Sequence, residues 1–440
     1  MKRYMSAPCD PVRVPPTTEL ERRALDAVAT ARMIEELCEF IGIPSIGGTD
    51  AEVEAQHWMA DRLDRLGLDI DLWQVDLDAA YTDPDFPGVE VARTEAWGLV
   101  GTTPYADGPT LALNGHIDVV PPGDLRSWGG TGPWDARIEN TAAGPVIHGR
   151  GACDMKAGVI AALMAVRALR DAGVRLAGRL AVHSVVGEED GGLGAYATLA
   201  RGHRADACII GEPTGGAVVS AAAGALTFRL EIEGRAGHGS ARYEGVSAIE
   251  ALRPVQRALA ALEADRQQDP DPLMAGYPIP YPLSIGIVRC GDWASTVPDL
   301  LVAEGRYGVR LDEEPAQARA EFEQRIAAAG AADPWLADHP VRVSWPGGQF
   351  ASGRLPAGHP LLGIVRHAVA DAAGTGLPPE RGVPYGSDLR LYAAQGVPTV
   401  QLGPGDVRLA HSPRELVQVA DLVRAAEALV LTAIRVCGTR

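Results

Sequence analysis

Apolar and polar positions alternate along this chain in two distinct textures. Residues 17–41 carry a helical period that opens at Thr17-Thr18, with Glu19 and Glu21 in the first turn. A second amphipathic helix is predicted over 51–66, stopping at Gly67, and the alternating stretch L-D-I-D-L-W-Q-V after it reads as a strand. The strand T-L-A-L-N-G (110–115) follows, then a Gly/Pro-rich loop to about residue 145 and a helix from Met155 to about Asp171. An apolar run ending in G-E-E-D-G-G predicts the next strand, with a helix near 193–201 and a strand A-C-I-I-G (207–211) after it. Apolar strands that scarcely alternate, interleaved with helices, describe an α/β unit whose sheet is covered on both faces.

The texture changes after Glu212. Residues 225–234, A-L-T-F-R-L-E-I-E-G, alternate like a half-exposed antiparallel strand. A helix (246–264), a Pro-rich loop (269–282), strands at 283–290 and 300–310 and a helix at 315–329 complete a βαββαβ-like set. From about residue 358 the first texture returns, with a helix at 360–373, a strand V-P-T-V-Q-L (397–402) and a final helix at 414–436. The pattern predicts a second domain inserted into the first.

Composition narrows the function classes. The chain has 440 residues, 46% hydrophobic and 22% charged, with a formal charge of −17. That acidity, without a basic cluster, argues against nucleic acid and anionic membranes as partners. No apolar stretch is long enough for a membrane span, and the N-terminus lacks the apolar segment of a signal peptide. Residues 1–16, with Pro8, Pro11, Pro15 and Pro16, read as a loosely ordered arm. Six scattered cysteines without a CxxC pair favour a reducing, cytoplasmic setting and no thiolate zinc site.

Chemistry collects where apolar strands end. L-N-G-H-I-D places His116 and Asp118 two apart, on one side of extended chain. G-R-G-A-C-D sets Asp154 at a helix start, G-E-E supplies Glu188 and Glu189, I-I-G-E-P ends on Glu212, and L-A-H-S brings His411. Singly, Asp154 reads equally as a helix N-cap, Glu212 as a turn residue, and the acidic run as a solvated turn. Taken together, two imidazoles and several carboxylates suit zinc, manganese or cobalt. Donors from five strand or helix ends are enough for two ions sharing a carboxylate, and ligands gather at the carboxyl ends of strands in open α/β sheets.

The succession G-H-I-D-V-V-P, G-R-G-A-C-D-M-K-A-G, G-E-E, G-E-P-T, G-H-G-S and A-H-S resembles the M20 metallopeptidases, over about residues 25–437. That group includes acetylornithine deacetylase, succinyl-diaminopimelate desuccinylase, aminoacylase and carboxypeptidase G. The resemblance implies an α/β fold: a mixed-sheet catalytic domain over 17–221 and 348–440, with a smaller α+β, ferredoxin-like domain at 222–347 serving dimerisation or as a lid. It implies two divalent metal ions per subunit, zinc first, with cobalt or manganese as alternatives. His116 and Glu212 would hold one ion, Glu189 and His411 the other, with Asp154 bridging and Asp118 orienting His116. Glu188 would be the general base, and His238 in G-H-G-S would reach the substrate carbonyl from the partner subunit of a homodimer.

The stretch V-P-Y-G-S-D-L-R-L-Y resembles the family's substrate-carboxylate loop, which makes Gly386 and Ser387 candidates, with Arg306 and Arg310 as possible cationic partners. A helix N-terminus capped by Ser387 or Asp388 is the alternative reading of that stretch. Where many members carry Asn before V-V-P, this chain reads Ser295-Thr296-Val297-Pro298, and Ser295 is left outside the catalytic set. The implied activity is hydrolysis of a small N-acyl amino acid or related N-acyl or N-formyl amide. A dipeptidase or carboxypeptidase, and an inactive metabolite-binding relative, are the alternatives.

Overall fold

The computed structural model describes residues 17–440, Thr131 excepted; the proline-bearing arm at 1–16 and Cys9 lie outside the described residues. A nine-stranded mixed sheet runs in the order 69–74, 97–102, 179–185, 110–116, 207–213, 399–403, 218–222 and 353–354, and 380–383 also pairs with 218–222. Strand Thr110–His116 is parallel to both neighbours, Arg179–Val185 and Ala207–Pro213, and Thr399–Gly403 is parallel to Ala207–Pro213. Four adjacent strands therefore deliver their carboxyl ends to one edge.

Helices Lys156–Asp171 and Val419–Cys437 pack together against this sheet, burying Ile160, Leu163, Leu429 and Val430 in the main core. Close approach is possible because a Cβ on Gly158 would stand 2.0 Å from the Gly211 carbonyl oxygen. Any side chain there would push the helix off the strand that carries Glu212.

The chain leaves this sheet after Ala222 and enters a second, antiparallel one at Gly224. In strand Gly224–Glu233 fully buried and half-buried positions alternate, as the sequence predicts. Strands Leu300–Val309 and Leu283–Cys290 extend the sheet on one side, and Arg342–Ser344 and Gln349–Phe350 pair on the other. Helices Ala248–Arg266 and Pro315–Ala331 cover it, enclosing Phe228, Leu230, Leu259, Tyr307 and Phe322. The edge strand leaves Ile287 and Val288 in solvent.

Several elements differ from the sequence reading. The single helix expected over 17–41 is two, Glu19–Asp26 and Thr30–Ile41. The capping box of Thr18 and Glu21 opens the first, and Glu21 also bonds Arg435 of the last helix. The second buries Met33, Leu37, Phe40 and Ile41, so tertiary contacts of two faces override one continuous period. The loop expected up to residue 145 holds a hairpin, Arg137–Thr141 and Gly144–His148. The last helix starts at Val419 rather than 414, because Leu416–Gln418 pairs with that hairpin. Strands Trp97–Thr102 and Val218–Ala222 and the short helix Leu77–Thr82 are additions. Among the described residues no helix is long and apolar enough to cross a membrane, and the five cysteines are free.

Candidate metal centre

His116 closes its strand as a fully buried side chain. Its Nδ1 lies 3.0 Å from the backbone carbonyl of Asp118, so Nδ1–H donates there and Nε2 turns towards the acid oxygens. Nε2 stands 3.2 Å from Asp154 Oδ1 and 3.9 Å from Glu212 Oε1. The other oxygen of Asp154 lies 3.4 Å from His411 Nε2, which is 3.0 Å from Glu189 Oε2. One carboxylate thus spans two imidazoles, each with a second acid beside it. The N-cap reading of Asp154 does not hold, since helix Lys156–Asp171 begins beyond it with Met155 at the cap and no side-chain cap bond.

His411 reaches the cluster from a left-handed backbone conformation, φ 56°. For a residue with a Cβ this costs about 1–2 kcal/mol, strain of the kind that collects at functional sites. The loop that carries it is anchored by Glu415. This buried carboxylate pairs with Arg150 and accepts the N–H groups of Cys153 and Asp154, at 3.0 and 3.1 Å. Glu415 therefore fixes the Asp154 turn to the His411 loop. The sequence reading placed residue 415 in a helix and missed it.

Asp118 is fully buried and works mainly on its neighbours' backbone. Its Oδ1 accepts the N–H of Glu188 at 3.3 Å and its Oδ2 that of Glu189 at 3.2 Å, while its side chain is 3.8 Å from His116 Nδ1. Glu188 is buried, and its Oε1 has no hydrogen-bond partner among the described residues. Ligand atoms of His116, Glu188 and Glu212 lie within 4.8 Å of one another, as do those of His116, Asp154 and Glu189.

The electrostatics call for cations. Burial, then the charge of Glu212, pushes the Glu188 carboxyl well above its ordinary value. Burial and Asp154 do the same to Glu212, and more mildly to Glu189. Burial opposes ionisation of Asp154 too, but its bonds to His116 and His411 prevail and hold it low. His411, bonded to Asp154 and Glu189, is pushed up to about 11. Four carboxylates, Asp154, Glu188, Glu189 and Glu212, meet only two imidazoles. Oxygen and imidazole donors in this arrangement fit two divalent ions, whose charge would relieve the repulsion.

The remaining candidates are placed elsewhere. His238 is exposed on the smaller sheet's side, its Nδ1 2.7 Å from Ser240 Oγ, in a two-residue strand pairing with Thr296-Val297. Ser295 offers its carbonyl to the Gly239 N–H. Gly386 is packed under Phe350, whose ring a Cβ would meet at 2.5 Å. Ser387 is buried, and its hydroxyl oxygen accepts from Gln401 Nε2 at 2.7 Å and from the Leu389 N–H at 3.1 Å. Arg306 donates to the Pro384 carbonyl at 2.7 Å, beside that loop, and burial pulls its pKa down. Arg310 instead turns its guanidinium to the Asp265 carbonyl, while its backbone N–H donates to the Glu313 carboxylate.

A model of the peptidase family M20/M25/M40 matches residues 112–435, a span that holds every candidate above. The chain belongs to this family. M20 membership makes it a metal-dependent amide hydrolase. Among its relatives, the N-formyl-4-amino-5-aminomethyl-2-methylpyrimidine deformylase of Halalkalibacterium halodurans is 27% identical over 413 residues, covering 88% of this chain and 90% of that one. A succinyl-diaminopimelate desuccinylase of Methylorubrum extorquens is 30% identical over 402 residues, covering 87% and 93%. The fold is similar to that of human carnosine dipeptidase 1, with a TM-score of 0.73 at 15% identity over 96% of this chain and all of that one.

Proposed function

We propose that this M20 member cleaves the amide bond of a small N-acyl or N-formyl compound, an N-acyl amino acid foremost. The observation that carries the reading is a buried carboxylate with a free oxygen, Glu188, beside a cluster able to hold two divalent ions. Names of the relatives support the substrate class, since a deformylase and a desuccinylase both remove an acyl group from nitrogen. Retention of His116, Asp118, Asp154, Glu188, Glu189, Glu212 and His411 together speaks against an inactive relative.

In this reading His116 and Glu212 hold one ion and Glu189 and His411 the other, with Asp154 between them. Zinc is the first choice, cobalt or manganese the alternatives. Such ions, when bound, polarise a carbonyl and lower the pKa of water towards neutrality. Glu188 accepts the proton of the attacking water and then delivers it to the leaving amine nitrogen. Asp118 keeps Glu188 and Glu189 in place through their N–H groups. Arg306, a mostly buried cation next to the 383–388 loop, attracts an anionic group of the substrate. Residues 222–347 form the domain through which two copies pair, and His238 of one copy completes the other's site by donating to the developing oxyanion.

A turnover screen tests this. Metal-free enzyme reloaded with zinc, cobalt or manganese is offered N-formyl, N-acetyl and N-succinyl amino acids and amines alongside dipeptides. Turnover of acylated amines is expected. Cleavage of dipeptides alone would overturn the substrate class, and no turnover with two bound ions would return the inactive reading.

A further inference from the structure

Three consecutive acids, Glu188, Glu189 and Asp190, leave one strand end. Two belong to the metal cluster, and the third is buried on the far side of the turn. There it meets Arg93, whose side chain is fully buried. The guanidinium grips Asp190 with two parallel bonds, Nη1 to Oδ2 and Nη2 to Oδ1, both 2.8 Å. Its other edge grips Glu52, Nε to Oε2 at 3.1 Å and Nη2 to Oε1 at 3.2 Å. Asp190 further accepts the N–H groups of Glu90 and Val91, at 3.2 and 2.9 Å. Glu52 stands in the first turn of helix Asp50–Arg65 and accepts the Gly48 N–H.

The guanidinium also packs close against the turn. A Cβ on Gly187, which sits at φ 64°, would be 2.9 Å from Arg93 Nη2. The base-bearing turn is therefore held twice: by Asp118 through the N–H groups of Glu188 and Glu189, and by Arg93 through the next side chain. Neither Arg93 nor Glu52 falls within the stretch that the family model matches, which begins at residue 112.

We propose that Arg93 is a positioning residue for the reaction: a buried bidentate strut between Glu52 and Asp190 that holds Glu188 and Glu189 in working register. The inference rests on the proposed roles of those two glutamates. A planar fork binding two carboxylates fixes direction as well as distance, which a lysine's point charge does not. Partners one step behind metal ligands typically change metal affinity or activity by about 10- to 100-fold when removed.

Arg93→Met alone strands two buried carboxylates and endangers folding, so the triple variant Arg93→Met, Glu52→Gln, Asp190→Asn, which removes all three charges, is tested beside it. The readouts are circular dichroism, zinc titration of the metal-free chain against a competing chelator, the visible absorption of the cobalt-loaded chain, and kcat and KM separately. The expected triple variant folds, binds the second zinc about 10- to 100-fold more weakly, shows an altered cobalt spectrum and loses kcat at nearly unchanged KM. A folded triple variant with wild-type zinc affinities, cobalt spectrum and kcat would overturn the strut. If the wild-type chain itself binds no zinc, cobalt or manganese, the proposed metal centre falls first and the strut with it, a result distinct from the previous one.

Discussion

Asp118→Asn separates two ways for this acid to serve the centre. Its two oxygens each accept one backbone N–H, from Glu188 at 3.3 Å and Glu189 at 3.2 Å, while His116 leans on the Asp118 backbone carbonyl. An asparagine keeps one acceptor oxygen and turns an NH2 group towards the other N–H. The change removes one bond to a charged acceptor, about 1.5–3 kcal/mol, and leaves a buried donor facing a donor, about 1–3 kcal/mol. If the turn yields part of that sum by shifting, about 3 kcal/mol remains, which is roughly 100-fold in rate at 1.36 kcal/mol per decade. The assay is kcat at saturating zinc, with the ring nitrogens of His116 followed by NMR in the metal-free protein. Loss of about 100-fold in kcat with the His116 Nδ1–H bond unchanged is expected. A wild-type kcat, or loss of that Nδ1–H bond, would refute the geometry that assigns Asp118 to the glutamate turn.

Two further outcomes follow from the same residues. Metal-free protein should lose thermal stability as pH rises from about 5 to 9: Glu188, Glu189 and Glu212 have raised pKa values and His411 is at about 11, so their contributions are greatest at low pH and fade upward. Differential scanning fluorimetry with chelator should show this slope, and zinc should flatten it; a rise with pH would contradict the reading. If His238 completes a neighbour's site, co-assembled His238→Ala and Glu188→Ala chains should recover about a quarter of wild-type activity, since half of randomly paired dimers then carry one intact site. Mixtures as inactive as either parent would overturn the sharing of the site between two copies.

The convergence of the candidate metal ligands was legible because those residues sit at strand or loop ends, where short motifs carry both the turn and the donor. His116, Asp154, Glu189, Glu212 and His411 converge although Glu189 and His411 alone stand 222 residues apart. What stayed hidden lacked a local signature. Arg93 meets partners 41 and 97 residues away, and nothing around it marks it from any other arginine. The pattern predicts a helix through Glu415 because the strand just after it, Leu416–Gln418, exists only by pairing with the 144–148 hairpin. Strand Val218–Ala222 is buried at every position, which erases alternation. Strand Trp97–Thr102 contains Gly98, where the Trp73 ring from the neighbouring strand lies across the backbone and a Cβ would come within 2.1 Å of it. The glycine that looks like a strand breaker is what admits the tryptophan.

The division of labour between the paired glutamates is the centre of the proposed mechanism, and Glu188 also lies within ligand distance of His116 and Glu212. Metal content and kcat measured on the same Glu188→Gln preparation decide its role. Two ions per chain with kcat reduced about 100- to 10,000-fold is the result expected of a general base. A variant that binds one ion fewer, or one that turns over at a near wild-type rate, would contradict it.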